Sequence, residues 1–147
     1  MEIAIVALGC FWGPEIKFSK LNGIIRTEVG YCGGNNAQTT YKEVCTDKTN
    51  HAEVVKLEFD PKIISFEQIL EYFFKIHDPT TLNSQGPNFG TQYRSEIFYL
   101  NSNQKDIAEK IIEKENKKLS RKVVTKLSIV KNYCTAEEYH QKYLEKK

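Results

Sequence analysis

The chain has 147 residues, 21 Lys plus Arg against 19 Asp plus Glu for a net charge of +2, and 40% hydrophobic residues. That is the length of one ordinary domain, and we expect a single domain over residues 1–147 with one packed core. So balanced a charge argues against nucleic acid or an anionic membrane as partner. No apolar run reaches the length of a membrane span, and the leading apolar run is too short for a signal peptide.

Residues 3–8 (IAIVAL) form a continuous apolar run that predicts a buried strand. Gly9-Cys10-Phe11-Trp12-Gly13-Pro14-Glu15 follows, with Pro14 and Glu15 suited to the first turn of a helix closed by Asn22-Gly23. Strands are expected at residues 24–31 and 53–59, the latter alternating as EVVKLEF. Ser65 to Gln68 reads as a capping box before Ile69, Leu70, Phe73 and Phe74 at helical spacing. Residues 80–90 are polar, carry Gly86-Pro87 and Gly90, and predict a long loop. A strand at 96–100, a lysine-rich helix at 101–122, a strand at 123–130 and a last amphipathic helix capped by Thr135 complete the series. The order predicts an α+β fold: a two-layer sandwich with a ferredoxin-like core, its antiparallel or mixed sheet covered by helices.

Four cysteines without an export signal point to a reducing compartment, the cytoplasm, and to thiols rather than a disulfide scaffold. Cys10 sits between a strand and a helix N-terminus, whose unpaired N–H groups favour a thiolate; burial as a structural cysteine is the competing reading. Phe11 and Trp12 beside it suit the wall of a pocket for a small apolar group. Glu53, in His51-Ala52-Glu53 at the mouth of a strand, would have a raised pKa in such a pocket and could act as a general acid; an exposed edge charge is its plainer alternative. Tyr41 and Tyr93 stand beside loops where their hydroxyls can donate to an oxygen. The cysteine spacings match no usual zinc pattern, and no metal or organic cofactor is expected. His77 and His140 are expected on helices, as surface or half-buried imidazoles.

The motifs GCFWG (9–13), GYCGG (30–34), TYKEVC (40–45), HAE (51–53), HDPTTLNSQG (77–86), GTQYRS (90–95) and AEEYHQKYL (136–144) occur in the order found in one family. The chain resembles peptide methionine sulfoxide reductase A over essentially its whole length. The resemblance implies thiol-dependent reduction of methionine S-sulfoxide, free or in proteins, as a repair activity sustained by thioredoxin or another thiol reductant. It implies Cys10 as nucleophile, Glu53 as the acid for the sulfoxide oxygen, and Tyr41 and Tyr93 as hydrogen-bond donors to it. Phe11 and Trp12 would grip the methyl group, with His51 and Asn88 on the substrate side. Asn88 stands where the family usually has an aspartate, so the pH optimum is expected to differ. Many relatives continue into a Gly-rich tail with recycling cysteines, whereas this sequence ends soon after residue 144. The sulfenic acid left on Cys10 is therefore expected to be resolved by Cys32, in a glycine-rich loop, then by Cys134, with Cys45 the third candidate, or directly by an external reductant. We expect a monomer. A cysteine hydrolase using His51 as base, and a binding module with a structural Cys10, remain the alternatives.

Overall fold

The computed structural model describes residues 1–35, 38–46, 49–86, 88–118 and 122–146. Pro87 and the expected helix end at 119–121 lie outside these residues. The elements in chain order begin with β1 (Glu2–Leu8), α1 (Trp12–Ser19), β2 (Ile24–Cys32), α2 (Tyr41–Val44), β3 (Ala52–Phe59) and α3 (Phe66–Lys75). They continue with β4 (Ser84–Gln85), β5 (Asn88–Phe89), β6 (Ser95–Tyr99), α4 (Ser102–Lys118), β7 (Lys126–Ile129), β8 (Cys134–Thr135) and α5 (Tyr143–Lys146). Two 3-10 turns, Thr91–Tyr93 and Glu138–His140, sit before β6 and α5.

Among the described residues the main sheet has the order β7-β6-β1-β3-β2-β8. Every neighbouring pair is antiparallel except β6 with β7. The inner four strands, with α1 and α3, follow the β-α-β-β-α-β pattern in spatial order β6-β1-β3-β2, the ferredoxin-like arrangement anticipated from the element order. Strand alternation divides the core. Ala4, Val6, Leu8, Val29, Tyr31, Val55 and Leu57 join Phe18 of α1, Phe73 of α3 and Ile111 of α4 in the larger cluster. Ile5, Ala7, Cys32, Ala52, Val54 and Phe98 form a smaller one.

The capping box forms as expected: the Ser65 hydroxyl accepts from the Gln68 amide at 3.1 Å, and the Ser65 amide donates to Gln68 Oε1 at 2.9 Å. The expected loop at 80–90 is partly structured, with β4 and β5 forming a two-stranded ribbon. The expected strand at 123–130 contracts to β7, since the Val124 amide donates instead to the Pro79 carbonyl at 2.8 Å. The last expected helix is a correction. Thr135 lies in β8, and the chain then passes through a 3-10 turn into the short α5. The reason is β2's free edge. The Gln141 carboxamide bonds both the N–H and the C=O of Val29 at 2.9 Å, standing in for a strand partner where a helix would have carried it away.

Candidate active site

Gly9 carries β1 into α1 at φ +103°, and a Cβ there would meet Gln85 at 2.8 Å, so only glycine lets the β4–β5 ribbon close over this turn. Cys10 comes next, half-buried, with Phe11 as the N-cap of α1 and Trp12 as its first helical residue. The Trp12 amide donates to the Cys10 sulfur and favours the thiolate, as the sequence suggested. The net effect is the reverse. Burial outweighs that bond, the nearby Glu53 carboxylate adds to it, and the thiol titrates above its ordinary 9.0.

Glu53 is the other half of the pair. It lies on β3, 1% exposed, with its Oε1 accepting from the Phe11 amide at 3.3 Å and its Oε2 from the Gln92 carboxamide at 3.4 Å. Burial raises its pKa to about 7 against the opposing pull of those two donors. This is the raised carboxyl expected from the sequence, and it leaves the acid half protonated near neutrality.

Two further segments pack around the pair. α2 presents Tyr41, whose hydroxyl is hydrogen-bonded to both Tyr93 and the Cys45 thiol. Burial raises both phenols, so each remains a donor at neutral pH. The C-terminal segment supplies the aromatic wall: the Trp12 indole N–H donates to His140 Nδ1 at 3.1 Å, and its ring stacks on Tyr143 at 3.9 Å. Phe11 and Tyr41 pack against the same imidazole at 5.2 and 4.6 Å between centroids. Glu137 ties this wall to the sheet, accepting from the Tyr31 hydroxyl at 2.8 Å and the Tyr41 amide at 2.9 Å.

Several expected residues fall elsewhere. His51 is 1% exposed and its Nδ1 accepts from the Gly34 amide at 3.2 Å, which ties the Gly33-Gly34 loop to the start of β3. His140 is no surface residue but 1% exposed. An indole N–H can only donate, so Nδ1 is the unprotonated nitrogen and Nε2 carries the proton. With the acceptor nitrogen of each ring already used, neither imidazole is placed as a base for Cys10, and the hydrolase reading loses its second residue. His77 likewise is engaged inside the fold, bridging the Phe73 carbonyl at 2.6 Å and the Ser95 hydroxyl at 2.8 Å.

Cys32 is corrected as well. It belongs to β2 rather than to a free loop, is 0% exposed, and packs in the cluster with Phe98, while its neighbour Tyr31 faces the site. A one-residue offset on a strand reverses the face. Asn88 sits in the ribbon opposite Gln85.

Sequence reading missed Gln92, Glu137, His140 and Tyr143 as parts of the site. The signal lay inside GTQYRS and AEEYHQKYL, yet nothing local said that these segments meet Glu53 and Trp12. Arg94 was missed too. Only 6% exposed, it pairs with Glu96 at 2.6 Å and donates to the carbonyls of Thr91 and Asn50, at 2.8 and 3.0 Å, bracing the approaches to Tyr93 and Glu53. Among the described residues there is no group of three side chains able to hold a metal, and no helix is long and apolar enough to cross a membrane.

A half-buried thiol beside an enclosed, half-protonated carboxyl group is the pairing that thiol-dependent acid–base chemistry requires. Comparison with known proteins is more specific. The family model described as peptide methionine sulfoxide reductase matches residues 2–147. The peptide methionine sulfoxide reductase MsrA of Pelagibacter ubique is 75% identical over 147 residues, all of this chain and all of that one. Reduced Mxr1 from Saccharomyces cerevisiae superposes with a TM-score of 0.93 at 42% identity, covering 99% of this chain and 84% of that one. Mxr1 in complex with Trx2 matches with a TM-score of 0.67 at 29% identity, over 97% of this chain and 84% of that one. This chain belongs to the peptide methionine sulfoxide reductase family.

Proposed function

We propose that this chain is a monomeric, cytoplasmic, single-domain reductase that converts methionine S-sulfoxide, free or in proteins, to methionine. The observation that carries the reading is Glu53, 1% exposed, with a pKa of about 7 and held against the Phe11 amide one residue from Cys10. A sulfoxide oxygen leaves only if its charge is neutralised as the S–O bond breaks. In this reading the Cys10 thiolate attacks the sulfoxide sulfur. Glu53 delivers a proton to the oxygen, and the Tyr41 and Tyr93 hydroxyls donate hydrogen bonds to it. Phe11 and Trp12 enclose the methyl group, the one apolar handle of a neutral side chain. The protonated oxygen then passes from the substrate sulfur to the Cys10 sulfur as the bond between the two sulfurs breaks, giving methionine and a sulfenic acid, which a thiol then clears as a disulfide. The complex of the relative Mxr1 with Trx2 supports a thioredoxin-type reductant for this last reduction.

The test is NADPH oxidation coupled through thioredoxin and its reductase, with the S and R epimers of methionine sulfoxide supplied separately. Turnover of the S epimer alone is expected. Use of both epimers, or of neither, overturns the reading.

A further inference from the structure

The three thiols other than the nucleophile differ in where their sulfurs stand, and the difference decides which can meet an oxidised Cys10. Cys32 is sealed in the smaller cluster on the far face of the sheet, its thiol donating to the Lys131 carbonyl at 3.3 Å. Cys134 pairs with Tyr31 across β2 and β8, and Tyr31 in turn pairs with Glu53 across β2 and β3. These three residues therefore share one face, but the fully buried Tyr31 stands between Cys134 and the acid. The Cys134 sulfur is turned towards the Thr39 and Thr135 carbonyls, at 3.7 and 3.6 Å.

Cys45 is placed otherwise. It is the C-cap of α2, exposed, and its sulfur accepts from Gln92 Nε2 at 3.4 Å. The same nitrogen lies 3.4 Å from Glu53 Oε2, and the other oxygen of Glu53 takes the Phe11 amide, which belongs to the peptide bond of Cys10 itself. The Tyr41 hydroxyl bonds to the Cys45 sulfur, and Tyr93 lies within electrostatic reach of both Cys45 and Cys10. Cys45 is thus joined through one carboxamide to the acid that stands beside Cys10, and Tyr93 is near both thiols.

We propose that Cys45 resolves the Cys10 sulfenic acid, closing a Cys10–Cys45 disulfide within the active site. This rests on the reductase reading and specifies its second step. The Cys45 sulfur attacks the Cys10 sulfur, an S–S bond forms, and the S–O bond of the sulfenic acid breaks. Hydroxide departs with the proton given up by the Cys45 thiol, leaving as water. Cys45 and Cys10 end as the two halves of one disulfide, and an external dithiol of the thioredoxin type returns two electrons to restore both thiols. A disulfide requires its Cα atoms to lie about 4.4–6.8 Å apart. Cys45 lies outside the sheet, at the end of the four-residue α2, so bringing it to that distance breaks no strand pairing.

The experiment is a single turnover without reductant. The chain, reduced and desalted with four free thiols, is mixed with equimolar methionine S-sulfoxide, then assayed for methionine, thiol content and linked peptides. The expected result is one methionine per chain, loss of two thiols, and a cross-linked peptide pair containing Cys10 and Cys45. Cys45→Ser is expected to release its first methionine and hold a sulfenic acid on Cys10 that dimedone traps. Its thioredoxin-driven turnover should fall at least tenfold, while dithiothreitol, which reduces the sulfenic acid directly, sustains it. A bond from Cys10 to Cys32 or Cys134, or a lasting sulfenic acid in the natural chain, overturns the proposal and leaves the reductase reading intact. Undiminished thioredoxin-driven turnover of Cys45→Ser does the same. Failure to release any methionine overturns the reductase reading, and the resolving step with it.

Discussion

Glu53→Gln separates what the acid does for chemistry from what it costs the fold. In the folded chain the Glu53 pKa is about 7 against an ordinary 4.5, so the native state holds this proton more tightly than the unfolded chain does. Below pH 4.5 both states carry the proton and nothing is lost. As pH rises from 4.5 to 7 the unfolded chain ionises while the folded one resists, and stability drains away. Above pH 7 the deficit is constant, at most about 3 kcal/mol for a displacement of this size. Glutamine cannot ionise, so relative to the natural chain the variant should gain up to about 3 kcal/mol in urea unfolding on going from pH 4 to pH 8. A constant loss at every pH accompanies this gain, because the new carboxamide presents its NH₂ where Oε2 accepted from Gln92, forcing that side chain to turn.

Activity should move the other way. At pH 7 the first-turnover rate should fall by about 10²–10⁴, the usual contribution of a positioned acid. The pH dependence should change shape as well. In the natural chain protonated Glu53 declines above pH 7 as the Cys10 thiolate rises towards a pKa above 9.0, giving a plateau between the two. In Glu53→Gln only the thiolate remains, so the rate should climb with pH across that interval. Its alkylation profile should shift to lower pH, since the anion that opposed the thiolate is gone. A stability difference between the two chains that is the same at pH 4 and pH 8, or superimposable rate profiles, would refute the reasoning.

Trp12→Phe keeps an aromatic wall but strips the donor from His140 Nδ1, and leaving that buried acceptor unpaired should cost about 1–3 kcal/mol in urea unfolding, with a raised KM. A midpoint that does not move would show the bond to be worth nothing. Arg94→Met strands Glu96 at 3% exposure and should cost about 3–5 kcal/mol, partly recovered in the double variant with Glu96→Leu. Additive losses in that cycle would contradict a coupled pair. Asn88→Asp adds an anion to the ribbon over the site, which should raise the Glu53 pKa and move the start of the rate plateau to higher pH. Unchanged profiles would place Asn88 out of electrostatic reach of the acid.

The capping box of α3 and the alternation of β3 were legible in the sequence because each depends on residues one to four positions apart. The strand–thiol–helix turn at Cys10 was legible for the same reason, and the identity of the candidate nucleophile with it. The raised pKa of Glu53 was anticipated from chemistry alone: a carboxyl group among aromatics loses its hydration wherever the aromatics come from. The net direction at Cys10 was not. A helix N-terminus is visible in sequence, whereas the burial and the Glu53 charge that outweigh it belong to distant segments.

The thiols show the same division. Four cysteines and no internal methionine are matters of composition, and so is the expectation that thiols carry the chemistry. Alternation alone says that Tyr31 and Cys32 face opposite ways, but only the pairing of Tyr31 with Glu53 shows which of them faces the site. The contact that joins Cys45 to the acid runs through Gln92, 47 residues from Cys45 and 39 from Glu53. Local spacing governs turns, caps and faces because those bonds close within a few residues. Which thiol meets which acid is decided by strand register and by loops closing over the sheet, and those form only when the whole chain packs.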